Sequence, residues 1–126
     1  MKVGIIGYGK MGQLRDKVLN DFPSITVSRI YDVKKVDDNR YVSSFDEIIQ
    51  CPEIDAVVVG TPNCHIKDLV VSALNNGKHV FAEKPPGISA SEVEEMMEAE
   101  KRNPGRVLKF GFNHRCHDSI IMAKER

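Results

Sequence analysis

The run Val3-Gly-Ile-Ile6 passes without interruption into Gly7-x-Gly9-x-x-Gly12, a join that narrows the folds open to this chain more than any other feature. A short apolar segment with β-branched residues suits a buried parallel strand. Beyond the glycines, Met11, Leu14, Val18 and Leu19 fall at helical spacing, so the segment reads strand, glycine turn, amphipathic helix. In a dinucleotide site each glycine has a separate use. Gly7 permits the tight turn, Gly9 lets backbone approach a pyrophosphate, and Gly12 lets helix and strand pack closely. Phosphates would then sit at the helix N-terminus with Tyr8, Lys10 and Met11 around them, where free N–H groups and the macrodipole favour negative charge. Glycines also mark ordinary turns, so the rest of the chain must decide.

The second strand-like run, with Ile25, Val27 and Ile30, ends in Tyr31-Asp32. Asp32 lies twenty residues past Gly12 (32 − 12), where a dinucleotide fold puts the acid that accepts hydrogen bonds from ribose hydroxyls. An aspartate there repels a ribose 2′-phosphate and favours NAD over NADP, although Lys34 and Lys35 could support that phosphate.

Further along, strands and helices alternate. Tyr41-Val42-Ser43 reads as a short third strand, and Ser44-Phe45-Asp46-Glu47 as a helix start with Phe45, Ile48 and Ile49 inward. Asp55 to Gly60 is apolar on both faces, as a central parallel strand should be. Thr61, Pro62 and Asn63 follow at its carboxyl end, either as cofactor-edge residues or as an ordinary turn with a polar cap. The next helix runs from His65 to Asn76. Lys78 to Ala82 is a strand ending in Glu83-Lys84-Pro85-Pro86, and Ser89-Ala-Ser91 opens a helix with Val93, Met96, Met97 and Ala99 inward. Val107 to Phe112 makes a sixth strand with Asn113-His114-Arg115 at its end, and a last helix would place Ile120, Ile121 and Ala123 on one side. Repeated βα units predict an α/β fold, a three-layer doubly wound parallel sheet of the NAD(P)-binding Rossmann type, over residues 1–126 as one domain.

Composition closes off other classes. Eighteen basic and eighteen acidic residues are mixed along the chain, which gives no nucleic-acid footprint and no polybasic membrane anchor. No apolar stretch is long enough to span a bilayer. The three cysteines, Cys51, Cys64 and Cys116, are scattered and odd in number, which predicts reduced thiols in a cytoplasmic protein. His114, Cys116 and His117 invite a zinc reading, but a structural zinc needs four ligands, so no metal is expected.

Taken in order, Gly7-x-Gly9-x-x-Gly12, Asp32, the run from Asp55 through Thr61-Pro-Asn63, Gly77-Lys-His-Val80 and Glu83-Lys-Pro85 resemble the N-terminal domain of the Gfo/Idh/MocA (glucose–fructose oxidoreductase/inositol dehydrogenase) family. His65 stands one place earlier than the strict family spacing. The run Gly111 to Arg115 resembles the branch acting on sugars and nucleotide-linked sugars. The resemblance implies hydride transfer between a sugar carbon and nicotinamide, with the cofactor supplying the chemistry. It implies that Glu83 contacts the nicotinamide ribose and that Lys84 polarises the reacting hydroxyl. Pro85 would fix the turn through a peptide that is commonly cis in the family, and Asn113 and Arg115 would border nicotinamide and substrate. Family members carry a second α/β domain that shapes the substrate pocket, supplies a catalytic histidine and mediates oligomers. These 126 residues do not contain it. A homo-oligomer, or a partner chain supplying that domain, is therefore expected. The alternative is a stand-alone, non-enzymatic NAD(H)-binding or interaction module.

Overall fold

The computed structural model describes residues 1–125. Five strands, β1 (Lys2–Ile6), β2 (Thr26–Tyr31), β3 (Ala56–Val59), β4 (His79–Ala82) and β5 (Leu108–Phe110), pair in parallel in the order β2-β1-β3-β4-β5. The helices are α1 (Lys10–Leu19), α2 (Asp46–Ile49), α3 (Asn63–Asn75), α4 (Ala90–Arg102) and α5 (Asp118–Glu125), with a 3₁₀ turn over Asn113–Cys116. The first crossover moves from β1 to β2 in one direction, and the later ones move from β3 to β4 and β5 in the other. The order therefore reverses between β1 and β3, and in open sheets of this kind ligands bind at that switch, beyond the carboxyl ends of the strands.

Side-chain alternation sorts the strands into two apolar layers. Ile6, Val57, Val59, Val80 and Ala82 point towards α2, α3 and α4 and form the larger core with Ile48, Ile66, Leu74 and Met96. Val3, Ile5 and Val58 point the other way, towards α1, in a smaller cluster with Val27 and Ile30. Beside α1, the sheet carries an open apolar groove of about 340 Å³ walled in part by Val18, Leu19, Ile25, Phe81 and Val107. Lys78 is buried, its ammonium donating to the carbonyls of Cys51 at 2.5 Å and Ile54 at 2.8 Å. Those bonds tie the end of α2 to the start of β4 and satisfy a charge that would otherwise be costly to bury.

Several sequence expectations are corrected. Tyr41-Val42-Ser43 is no strand: Tyr41 makes a single bridge to Ile30. The amides of Ser43 and Ser44 instead donate to the Glu47 carboxylate, each at 3.0 Å, which turns the chain into α2. The strand expected over 107–112 covers only Leu108–Phe110, and helix α3 begins at Asn63, so His65 lies in its first turn. On α1, Met11, Leu14 and Val18 are exposed, because the helix packs through its Gly12 and Asp16 edge. Met97, Phe45, Ile120 and Ile121 are also exposed; Phe45 precedes α2 and meets Tyr31 edge-on at 5.8 Å.

Candidate functional site

The loops after all five strands gather at one edge of the sheet, and the glycine loop lies at its centre. Gly7 has φ +92°, and a Cβ there would stand 2.6 Å from the carbonyl carbon of Gly60. A Cβ on Gly12 would lie 2.1 Å from the Gly7 oxygen, so α1 sits directly on the turn that launches it. At Gly9, by contrast, an added Cβ meets nothing within 4 Å. Gly9 precedes α1, which has no side-chain cap and no acid in its first turn. The first N–H groups of the helix, with exposed Lys10 and Met11 beside them, are left to face an anion.

Asp32 ends β2 with both carboxylate oxygens anchored. Oδ2 accepts from the Tyr8 amide at 2.8 Å and Oδ1 from the Lys34 amide at 3.0 Å. Each oxygen keeps acceptor capacity for a hydroxyl. Lys34 and Lys35 themselves are exposed.

A polar cluster that the sequence did not reveal braces this corner. The Tyr8 hydroxyl donates to the buried Asp16 carboxylate, and Arg40 spans Asp16 and Asp38, each at 2.8 Å. Burial pushes Asp16 up, but the hydrogen bonds from Arg40 and Tyr8 outweigh it and hold the carboxyl below its ordinary range. The hydrogen bonds from Arg40 lower Asp38 to about 2. Burial, with the neighbouring Asp16, raises the Tyr8 phenol. The loop following β2 is thereby clamped to α1. Residues 24 apart in sequence supply the clamp, so no local motif announces it.

Beyond β3, Pro62 precedes α3 in extended conformation and no side chain caps the helix, which removes the polar-cap reading of Thr61-Pro62-Asn63. Thr61 Oγ1 is buried without a hydrogen-bond partner. It borders a cleft of about 260 Å³ with Tyr31, Val33, Phe45, His65 and Leu69. Apolar walls with Thr61, His65 and Asp68 among them suit a heteroaromatic ring with a polar edge. Val33, Phe45 and Leu69 had no motif to mark them.

After β4 the side chains of the acid and its neighbouring lysine part. Glu83 is buried, and its Oε1 lies 2.5 Å from Arg15 Nε on α1. The guanidinium carbon stands 4.8 Å over the Phe81 ring, while Arg15 Nη2 is buried without a partner. A Cβ on Gly111 would come within 2.7 Å of Glu83 Oε2, so the end of β5 closes over the same pair. The resemblance directs Glu83 to a ribose, whereas here its carboxylate is engaged by Arg15. Among the described residues Lys84 has no ion-pair partner; it is exposed with Pro85, and the peptide joining them is cis. Asn113 is exposed in the 3₁₀ turn beyond β5.

The uncapped helix start, the open space at Gly9 and the orphaned Thr61 hydroxyl fit a dinucleotide laid across the switch point. The oxidoreductase family with NAD-binding Rossmann fold, GFO_IDH_MocA, matches residues 1–111. Glucose-6-phosphate 3-dehydrogenase of Bacillus subtilis is 32% identical, over 98% of this chain and 37% of its own length. Inositol 2-dehydrogenase of Salmonella typhimurium is 26% identical, over 98% of this chain and 40% of its own. The crystal structure of scyllo-inositol dehydrogenase from Lactobacillus casei with bound NAD(H) and scyllo-inositol superimposes with a TM-score of 0.87 at 27% identity. It matches 99% of this chain and 40% of that one, so the chain spans about 40% of the length of such relatives.

Proposed function

Because the chain belongs to the Gfo/Idh/MocA oxidoreductase family and carries its NAD-binding Rossmann fold, we propose that it serves an enzyme moving hydride between a sugar or polyol carbon and NAD. The observation that carries this reading is the placement of an uncapped helix N-terminus between Asp32 at the end of β2 and Lys84 beyond β4. The amides following Gly9 would take the pyrophosphate, Asp32 the adenosine ribose, and the cleft of Thr61 and His65 the adenine. Lys84 would donate to the reacting hydroxyl and stabilise the developing alkoxide. Pro85, Asn113 and Arg115 would border the nicotinamide. Bound NAD would supply the hydride acceptor or, reduced, the donor.

NAD is favoured over NADP because a 2′-phosphate would meet the anchored Asp32 carboxylate. The relatives named above act on inositol and glucose 6-phosphate, which supports an unlinked sugar or polyol before a nucleotide-linked one. The remainder of the substrate pocket would come from polypeptide outside these 126 residues, and the apolar groove beside α1 supports packing against it. Among the described residues no helix is long and apolar enough to cross a membrane, and three free thiols support a cytoplasmic setting. No observation favours the non-enzymatic alternative.

Calorimetric titration with NADH and NADPH tests the reading. Saturable NADH binding that is tighter than NADPH binding is expected. A folded chain that binds neither would overturn it.

A further inference from the structure

Glu83 and Lys84 are adjacent and oppositely charged, and beyond β4 they divide: the acid is buried and the lysine is exposed. The Glu83 side chain is 10% exposed and joined to Arg15, whose side chain is 19% exposed, and Lys84 projects alone. Burying an ion pair recovers its desolvation cost only when geometry is excellent and every donor is satisfied. Arg15 Nη2 has no partner, so this pair is poorly arranged for stability alone. It is well arranged for placement. Arg15 lies three residues past Gly12 (15 − 12), on the helix whose start faces the crevice, and stacks on Phe81 of β4. One guanidinium thus joins the helix below the phosphates to the turn that follows β4.

The sheet order separates the two halves of the crevice. Asp32 ends β2 and Glu83 follows β4, three sheet positions away, which is about 14 Å at the usual strand spacing. An extended dinucleotide with its adenosine at Asp32 therefore brings its nicotinamide end to the Glu83 turn.

We propose that Arg15 is a positioning residue for the nicotinamide half of the site: by holding the Glu83 carboxylate beneath the turn, it keeps that acid away from Lys84 and aims Lys84 into the crevice. The proposal rests on the dinucleotide reading above. It predicts that loss of Arg15 harms one end of the cofactor and spares the other, which a general scaffold role would not do.

Two probes separate the ends: NADH, and ADP-ribose, which lacks the nicotinamide ring. With the purified chain, Arg15→Leu should leave ADP-ribose affinity within about twofold and weaken NADH about fivefold or more, the loss expected from releasing a charged hydrogen bond. Arg15→Lys, which keeps a cation beside Glu83, should recover most of the NADH affinity. Glu83→Gln should resemble Arg15→Leu, and the double variant should be no weaker than either single one. Equal weakening of both probes, unchanged NADH binding, failure of the lysine to recover it, or additive losses in the double variant would each overturn the proposal. If Arg15→Leu does not fold, Arg15→Lys and Glu83→Gln still decide it through the NADH to ADP-ribose ratio. Wild-type chain that binds neither probe overturns the dinucleotide reading, and this proposal with it.

Discussion

The amide of Tyr8 lies 2.8 Å from Oδ2 of Asp32, so the acid ending β2 is fastened to the glycine loop following β1. The carboxylate is thereby oriented with acceptor capacity to spare, and ribose hydroxyls would meet a preformed acceptor. Asp32→Ala is expected to weaken NADH binding about 10- to 100-fold, the range for hydrogen bonds to a charged group. The same change should weaken NADPH far less, since it also removes a like charge from the 2′-phosphate. Parallel titrations with the two cofactors measure both effects.

Two glycines three residues apart should respond in opposite ways. Gly9 has φ −78°, and a Cβ there enters open space, so Gly9→Ala should keep the melting temperature while weakening NADH about tenfold or more by standing in the path of the pyrophosphate. Gly12→Ala forces a Cβ to 2.1 Å from the Gly7 carbonyl oxygen, and should lower the melting temperature or prevent folding. Thermal melts beside NADH titrations distinguish the two.

Thr61 offers a test of the ring cleft. Its hydroxyl is buried and unpaired, so Thr61→Val removes an unsatisfied polar atom at nearly constant shape. The free protein should become equally or slightly more stable, by up to about 1 kcal/mol. NADH should bind more weakly if that hydroxyl meets the adenine. Urea unfolding without cofactor and calorimetry with it report the two quantities.

The Asp16–Arg40–Asp38 clamp predicts a pH dependence of stability. Asp38 is lowered from 3.8 to about 2 by Arg40, and Asp16 is lowered as well. A carboxyl depressed in the folded state contributes stability that is fully present above the unfolded value and is lost as pH falls through the folded one. The contribution should therefore hold above about pH 4 and fade towards pH 2. Arg40→Met should lower the melting temperature by several degrees at pH 7, for a loss of about 1–3 kcal/mol, and the gap to wild type should close as pH falls through that window. A gap independent of pH between 5 and 2.5 would remove the clamp from the explanation.

Features written in short stretches of sequence were legible from it. Strand, glycines and helix are contiguous, Asp32 follows at fixed spacing, and Asp55 to Val59 is apolar on both faces, so the parallel sheet could be read directly, while its strand order and switch point came from the structure. What the sequence hid depends on distant partners. Arg15 and Glu83 are 68 residues apart, and nothing around either marks the other. Asp16 carries no mark in the sequence, yet it is buried and held by Arg40 and Tyr8. The stripe of Met11, Leu14 and Val18 misled in the opposite sense. Helical spacing shows that a face is apolar, but it cannot show whether this chain supplies the surface to cover it.

Gly111 gives the Arg15–Glu83 pair a consequence for how such chains can diverge. A side chain at 111 would start 2.7 Å from Glu83 Oε2, the tip of a flexible side chain, and 3.5 Å from Arg15 Nη2, so a larger residue enters only where that carboxylate shifts. Positions 15, 83 and 111 are one decision distributed over three places in the gene. A lineage that enlarges 111 must re-aim the Glu83 carboxylate, and with it the bond to Arg15, so a change at 111 should draw changes at the pair.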